Sequence, residues 1–114
     1  MKWFLVKYIY QIVSGEGSYH CQFDEQQRII ESDCLAGAFE KAGNLADGFH
    51  PSFKNYLGEP VRWKFVCIAD LFEIDPPADG SEISSILREP PDIMAYLNEI
   101  ELRKIFLEQN IQSR

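Results

Sequence analysis

The chain has 114 residues, enough for one hydrophobic core and hence for a single domain over 1–114. Apolar residues make up 46% and charged residues 25%, which excludes a disordered or collagen-like chain. Against 11 basic residues stand 18 acidic ones, and the net charge of −7 speaks against polyanionic partners, so neither a nucleic acid nor a membrane is expected.

Residues 3–13 read as a long strand, rich in β-branched and aromatic side chains and free of Gly and Pro. One face is Phe4, Val6, Tyr8, Tyr10 and Ile12; the other is Trp3, Leu5, Lys7, Ile9 and Gln11. The first six residues resemble the start of a signal peptide, but Lys7 breaks the stretch and no small-residue cleavage site follows. No run approaches the ~20 apolar residues that span a bilayer, so a soluble, unprocessed, cytoplasmic protein is expected. The glycine-containing segment 14–18 turns the chain back in a hairpin. The returning strand, about 19–31, sets Tyr19, Cys21 and Phe23 against His20, Gln22, Asp24 and Arg28. Residues 24–28 are too polar for a buried strand and imply a bulge or a wet edge.

From Ser32 or Asp33 to about Ala46 the pattern is that of an amphipathic helix. Leu35, Ala38, Phe39, Ala42, Leu45, Ala46 and Phe49 follow an i, i+3, i+4 rhythm, with Ser32 or Asp33 as the cap. Gly37 is expected to let the helix approach the sheet. The segment 47–60, with Gly48, Pro51, Gly58 and Pro60, reads as a loop pinned by Phe49, Phe53 and Tyr56. Residues 61–74 form a second long strand, its odd face Val61, Trp63, Phe65, Cys67, Ala69 and Leu71. A tight turn follows at 75–80, with Gly80 suited to a positive φ, and then a short polar edge strand at 82–87. After Pro90 and Pro91 comes a helix over about 92–111. Ile93, Tyr96, Leu97, Ile100, Leu107 and Ile111 share one side of it, and Met94, Leu102, Ile105 and Phe106 lie on the opposite side.

The element order is therefore ββαββα, an α+β fold with a four-stranded, mainly antiparallel sheet in the order 2-1-3-4 and two helices. The central places fall to the two strands that are apolar on both faces. One helix covers one face. The other face needs either the C-terminal helix or a second copy of the chain over it. Two-sided apolarity in that helix points to a homodimer, with the helix touching both its own sheet and the partner.

Several short motifs recur in order: Trp3-Phe4, Ala38-Phe39-Glu40-Lys41-Ala42, Gly58 to Phe65 with Ile68 and Asp70-Leu71, and Asp79-Gly80-Ser81-Glu82-Ile83. Over residues 1–88 they resemble a bacterial domain-of-unknown-function family, number 4288. The resemblance implies a small bacterial cytosolic α+β protein and carries over no activity and no catalytic residue.

The chemistry-bearing residues read blandly. Cys21, Cys34 and Cys67 are an odd number without a C-x-x-C pair, which fits reduced thiols, with Cys67 a small core residue. Cys34 stands near a helix start but has no partner base. His20 and Cys21 point to opposite faces, His50 is in a distant loop, and His20 with Asp24 lacks a third ligand, so no metal is expected. Asp24, Glu25 and Glu31 read as a solvated edge, and Gly15-x-Gly17 opens no helix that could cradle phosphate. Trp3, Tyr8, Tyr10, Trp63 and Phe65 read as core rather than as a ligand floor.

The first functional reading is a non-enzymatic homodimeric interaction module without a cofactor, its interface at Met94, Leu102, Ile105 and Phe106, presenting a polar edge or loop to a protein partner. The second is a small-molecule binder or enzyme with a pocket between the sheet and the 47–60 loop, lined by Tyr56, Glu59 and Trp63.

Overall fold

A computed structural model describes residues 1–15 and 21–112. The elements are β1 (Lys2–Ser14), β2 (Gln22–Ser32), α1 (Leu35–Leu45), a 3-10 turn (Ala46–Gly48), β3 (Phe53–Lys54), β4 (Pro60–Ile74) and α2 (Ile93–Gln112). The order ββαββα holds, and the antiparallel sheet runs β2-β1-β4-β3. The two strands that are apolar on both faces, β1 and β4, lie at its centre. Tyr19 and His20, expected on the second strand, fall outside the described residues.

The strand beside β4 comes from a different segment than expected. Residues 82–87 are irregular, and the edge is taken by the two residues of β3, inside the segment read as loop. Asn55 closes that local hairpin: its Oδ1 accepts from the Leu57 and Glu59 N–H groups, and Gly58 takes φ 77°. Pairing so close in sequence costs little loop entropy. The turn before residues 82–87 is as expected. Gly80 has φ 86°, and the Ser81 hydroxyl accepts from the Ala78 N–H and donates to the Pro76 carbonyl.

On the inner face, Val6, Tyr8 and Tyr10 of β1 pack with Ile30, Ala42 and Ala46, bordered by Phe49, Trp63, Phe65, Ile68 and Leu71. Only small residues of α1, Ala38 and Ala42, are buried, with Ala46 just beyond, so the helix lies close to the sheet. That closeness lets Tyr8 donate to the Ala42 carbonyl at 2.7 Å and Tyr10 to the Ala46 carbonyl at 2.6 Å. Both carbonyls lie at the helix end, where backbone acceptors lack intrahelical partners. The larger members of the expected stripe, Leu35, Phe39 and Leu45, are exposed instead, displaced because the tyrosines hold the alanine face down. The cap is Cys34, whose Sγ accepts from the Gly37 N–H at 3.4 Å, because Ser32 still belongs to β2. Gly37 makes room for the Ser32 hydroxyl rather than for the sheet: a Cβ there would lie 2.7 Å from Ser32 Oγ.

The irregularity expected at 24–28 lies elsewhere. β2 keeps one register along β1, whereas β1 and β4 shift between Lys7 and Tyr8 and between Ile9 and Tyr10. Two extra residues in β4 thereby bring Phe65, Ile68 and Leu71, three apart in sequence, opposite Tyr10, Tyr8 and Val6. The same shifts move Cys67 opposite Ile9 on the outer side, so it is exposed and not a core residue.

The outer face carries Trp3, Leu5 and Ile9 beside Ile74, Phe72 and Cys67 on one flank and Ile29 and Phe23 on the other. Leu5 is only 1% exposed, near Ile83 of the irregular segment, which lines one cleft with Leu5 and Ile29. α2 begins at an Asp92 cap, whose carboxylate accepts from the Ala95 N–H at 3.0 Å. It buries no side chain, so the expected packing of this helix on its own sheet does not occur.

Candidate functional site

Unbroken register with β1 sets Asp24, Gln26 and Arg28 of β2 opposite Tyr10, Tyr8 and Val6, on the inner face. The segment after α1 then lays Phe49 and His50 over them. Arg28 stacks its guanidinium on the Phe49 ring, 3.7 Å from the centroid, and donates to Gln26 Oε1 at 3.1 Å. Gln26 Nε2 lies 2.7 Å from Asp24 Oδ2 and 2.7 Å from His50 Nε2. Its Oε1 lies 2.9 Å from the same His50 nitrogen. On the far side, Trp63 Nε1 donates to Asp24 Oδ2 at 3.1 Å.

Aromatic packing fixes the imidazole. His50 stacks on Trp63 with ring centroids 5.3 Å apart and meets Tyr10 edge-on at 5.0 Å. Phe53 of β3 flanks the outer side of Trp63 at 5.8 Å, which gives the two-residue strand a part in the site. Hydrogen bonds from Gln26 and Trp63 hold the Asp24 carboxyl below its ordinary range, and the nearby His50 and Arg28 add to this against the opposing effect of burial. Burial pushes the Tyr8 and Tyr10 hydroxyls up, so both stay donors to α1.

Chemically, the Gln26 amide can offer His50 either a donor or an acceptor, so one geometry serves either tautomer of the ring. The cluster holds a carboxylate, an imidazole, an indole and a guanidinium with no Ser or Cys hydrogen-bonded to His50 among the described residues.

Of the three residues expected to line a pocket, Trp63 stands in this cluster. Tyr56 is 94% exposed at the tip of the 55–58 turn and so does not pin the loop, and Glu59 is bonded to Asn55. Asp24 and Arg28, read as a solvated edge, belong to the cluster. His50, distant in sequence, is brought to Gln26 by the loop. The period-two spacing of Asp24, Gln26 and Arg28, set against the hairpin register, was the signal available for them.

The residues expected at an oligomer interface are all on α2 and exposed: Met94 66%, Leu102 67%, Ile105 41% and Phe106 65%. Ile93, Leu97, Leu107 and Ile111 are exposed on the other side of the helix. Together these leave on the order of 1,000 Å² of apolar side chain in water per chain, about half of it on each side of the helix. Lys104 links Glu101 and Glu108 along the helix, both at 3.8 Å. No helix among the described residues is long and apolar enough to cross a membrane, and no three His, Cys, Asp or Glu among them could hold a metal ion.

A family model described as "Domain of unknown function (DUF4288)" matches residues 3–85, most of the chain and nearly all of the sheet. No curated protein and no solved structure matches it.

Proposed function

The chain belongs to the DUF4288 family, and from its geometry we propose that it acts as a non-enzymatic, homodimeric interaction module of the cytosol. The observation that carries this reading is α2: 20 residues, apolar on two sides, with no buried side chain. A lone helix of this length gains little from its own hydrogen bonds in water, so its order calls for packing. A second copy supplies it with an isologous partner, each α2 meeting the same residues of the other. Three exposed thiols, none in a disulfide, suit a reducing compartment.

Sedimentation equilibrium at ~50 μM chain should give at least twice the monomer mass, because association takes the apolar side chains of α2 out of water. Phe106→Asp or Leu102→Asp should lower that mass. A parent that sediments as a monomer overturns the proposal, as does a Phe106→Asp variant of unchanged mass.

The His50 cluster favours a second reading, a small-molecule site that includes Trp63. Its aromatic faces and mixed charges suit a planar zwitterion or heterocycle. A reproducible thermal shift with such a compound, lost in His50→Ala, would support it.

A further inference from the structure

β2 is an edge strand, paired with β1 on one side. Edge strands present a row of backbone N–H and C=O groups to any strand that fits, and proteins blunt them with proline, lysine or bulges. Gln22–Ser32 has none of these: it contains no proline, lysine or glycine and runs in one register. Lys41 reaches its C-terminal end, donating to the Glu31 carbonyl at 2.9 Å. On the outer face the strand leaves Phe23 58% and Ile29 43% exposed. A cleft of about 550 Å³ opens beside it, lined by Arg28, Ile29, Ile30, Leu45, Phe49 and Ile83. Arg28 Nε is buried there without an acceptor.

From these features we infer that β2 pairs antiparallel with β2 of a second copy about a two-fold axis at Gln26, continuing the sheet from one molecule into the other. In that register Gln26 faces Gln26, Asp24 faces Arg28 and Phe23 faces Ile29, the last two pairs each occurring twice. Charges on an edge usually repel an incoming strand. Here they lie two residues on either side of the axis with opposite sign, so the symmetry makes both pairs attractive. The Asp24 carboxylate of the second copy comes opposite the Arg28 guanidinium. Phe23 of the second copy comes beside Ile29, at the cleft that Ile83 also lines.

Other registers fit worse. A slide of one residue turns inner side chains to the outer face. A slide of two sets Glu25 against Ile29 in one direction and Glu25 against Glu25 in the other. The pairing draws on β2 alone and is independent of α2.

Cross-linking tests the register. In a full chain carrying Cys21→Ser, Cys34→Ser and Cys67→Ser, one protein receives Phe23→Cys and another Ile29→Cys. Both positions are exposed, and within one chain they stand ~20 Å apart along the strand, too far for a disulfide. Facing residues of paired strands lie ~5 Å apart, within disulfide reach. Mild oxidation of the mixture should give a covalent dimer on a non-reducing gel, at least tenfold above either protein alone.

No covalent dimer in the mixture, with both proteins folded by circular dichroism, overturns the pairing. Equal linking by either protein alone overturns it too, as does Gln27→Cys linking to itself, which marks the slid register. Repeating the mixture with Phe106→Asp in both chains separates the two surfaces. Linking that persists there belongs to β2, and linking lost there shows that α2, not the strand, brings the copies together.

Discussion

Tyr8 and Tyr10 tie the sheet to α1 through their hydroxyls, and removing those hydroxyls isolates one kind of interaction. Tyr10→Phe keeps the ring, its edge contact with His50 and its packing on Phe65, and deletes only the donor to the Ala46 carbonyl. The acceptor, in the core at a helix end, then loses that donor. Leaving a buried acceptor unpaired costs about 1–3 kcal/mol. Tyr8→Phe removes the donor to the Ala42 carbonyl, so the double variant should lose roughly 2–6 kcal/mol, a large part of the about 5–15 kcal/mol typical of a domain. In urea, where a domain of this size loses roughly 2 kcal/mol per molar, each single change should lower the unfolding midpoint by ~0.5–1.5 M with the slope unchanged. Protein concentration must be held fixed, since association would raise every midpoint together. Single variants within ~0.3 kcal/mol of the parent would refute the account and leave alanine packing as the only tie between helix and sheet.

Other changes probe single features. Gly58→Ala, at φ 77°, should destabilise by about 1 kcal/mol, whereas Gly43→Ala, with open space at its Cβ inside α1, should stabilise by about as much. Thermal melts of the two would show opposite shifts. Asp24 has a folded-state pKa below its ordinary value, so its contribution is present above the unfolded pKa of ~3.9 and is lost as pH falls through the lower folded value. Asp24→Asn should therefore flatten the fall in stability below about pH 4; a curve parallel to that of the parent would show that the carboxylate carries no such linkage.

Much of the fold could be read from alternation alone. β1 and β4 are apolar on both faces, and that forces them to the centre of any small sheet. The difficulty began where alternation is broken. Nothing local in Val66-Cys67-Ile68-Ala69 announces two extra residues. Strict alternation therefore put Cys67 inside and Ile68 outside, and the β1 register puts them the other way. β3 was invisible for a different reason: a two-residue strand carries no period, and Asn55 with Gly58, which set its hairpin, read only as loop residues. In the polar run 24–28 charge alone points to solvent. Asp24, Gln26 and Arg28 are polar and inward-facing because His50 and Trp63, both far away in sequence, complete their hydrogen bonds.

The division between the two faces separates folding from association. Every fully buried large side chain lies on β1, and the core closes over Tyr8 and Tyr10 without help from α2. A helix with no fully buried side chain gives up little within its own chain when its most exposed apolar residues are changed. Changes at Phe106 or Leu102 should therefore alter mass and leave the concentration-independent part of stability in place, while Tyr10→Phe should do the reverse. Should Phe106→Asp instead lower stability at a concentration where the parent is already monomeric, α2 would have to pack on its own sheet in solution, and the outer face would be covered from within.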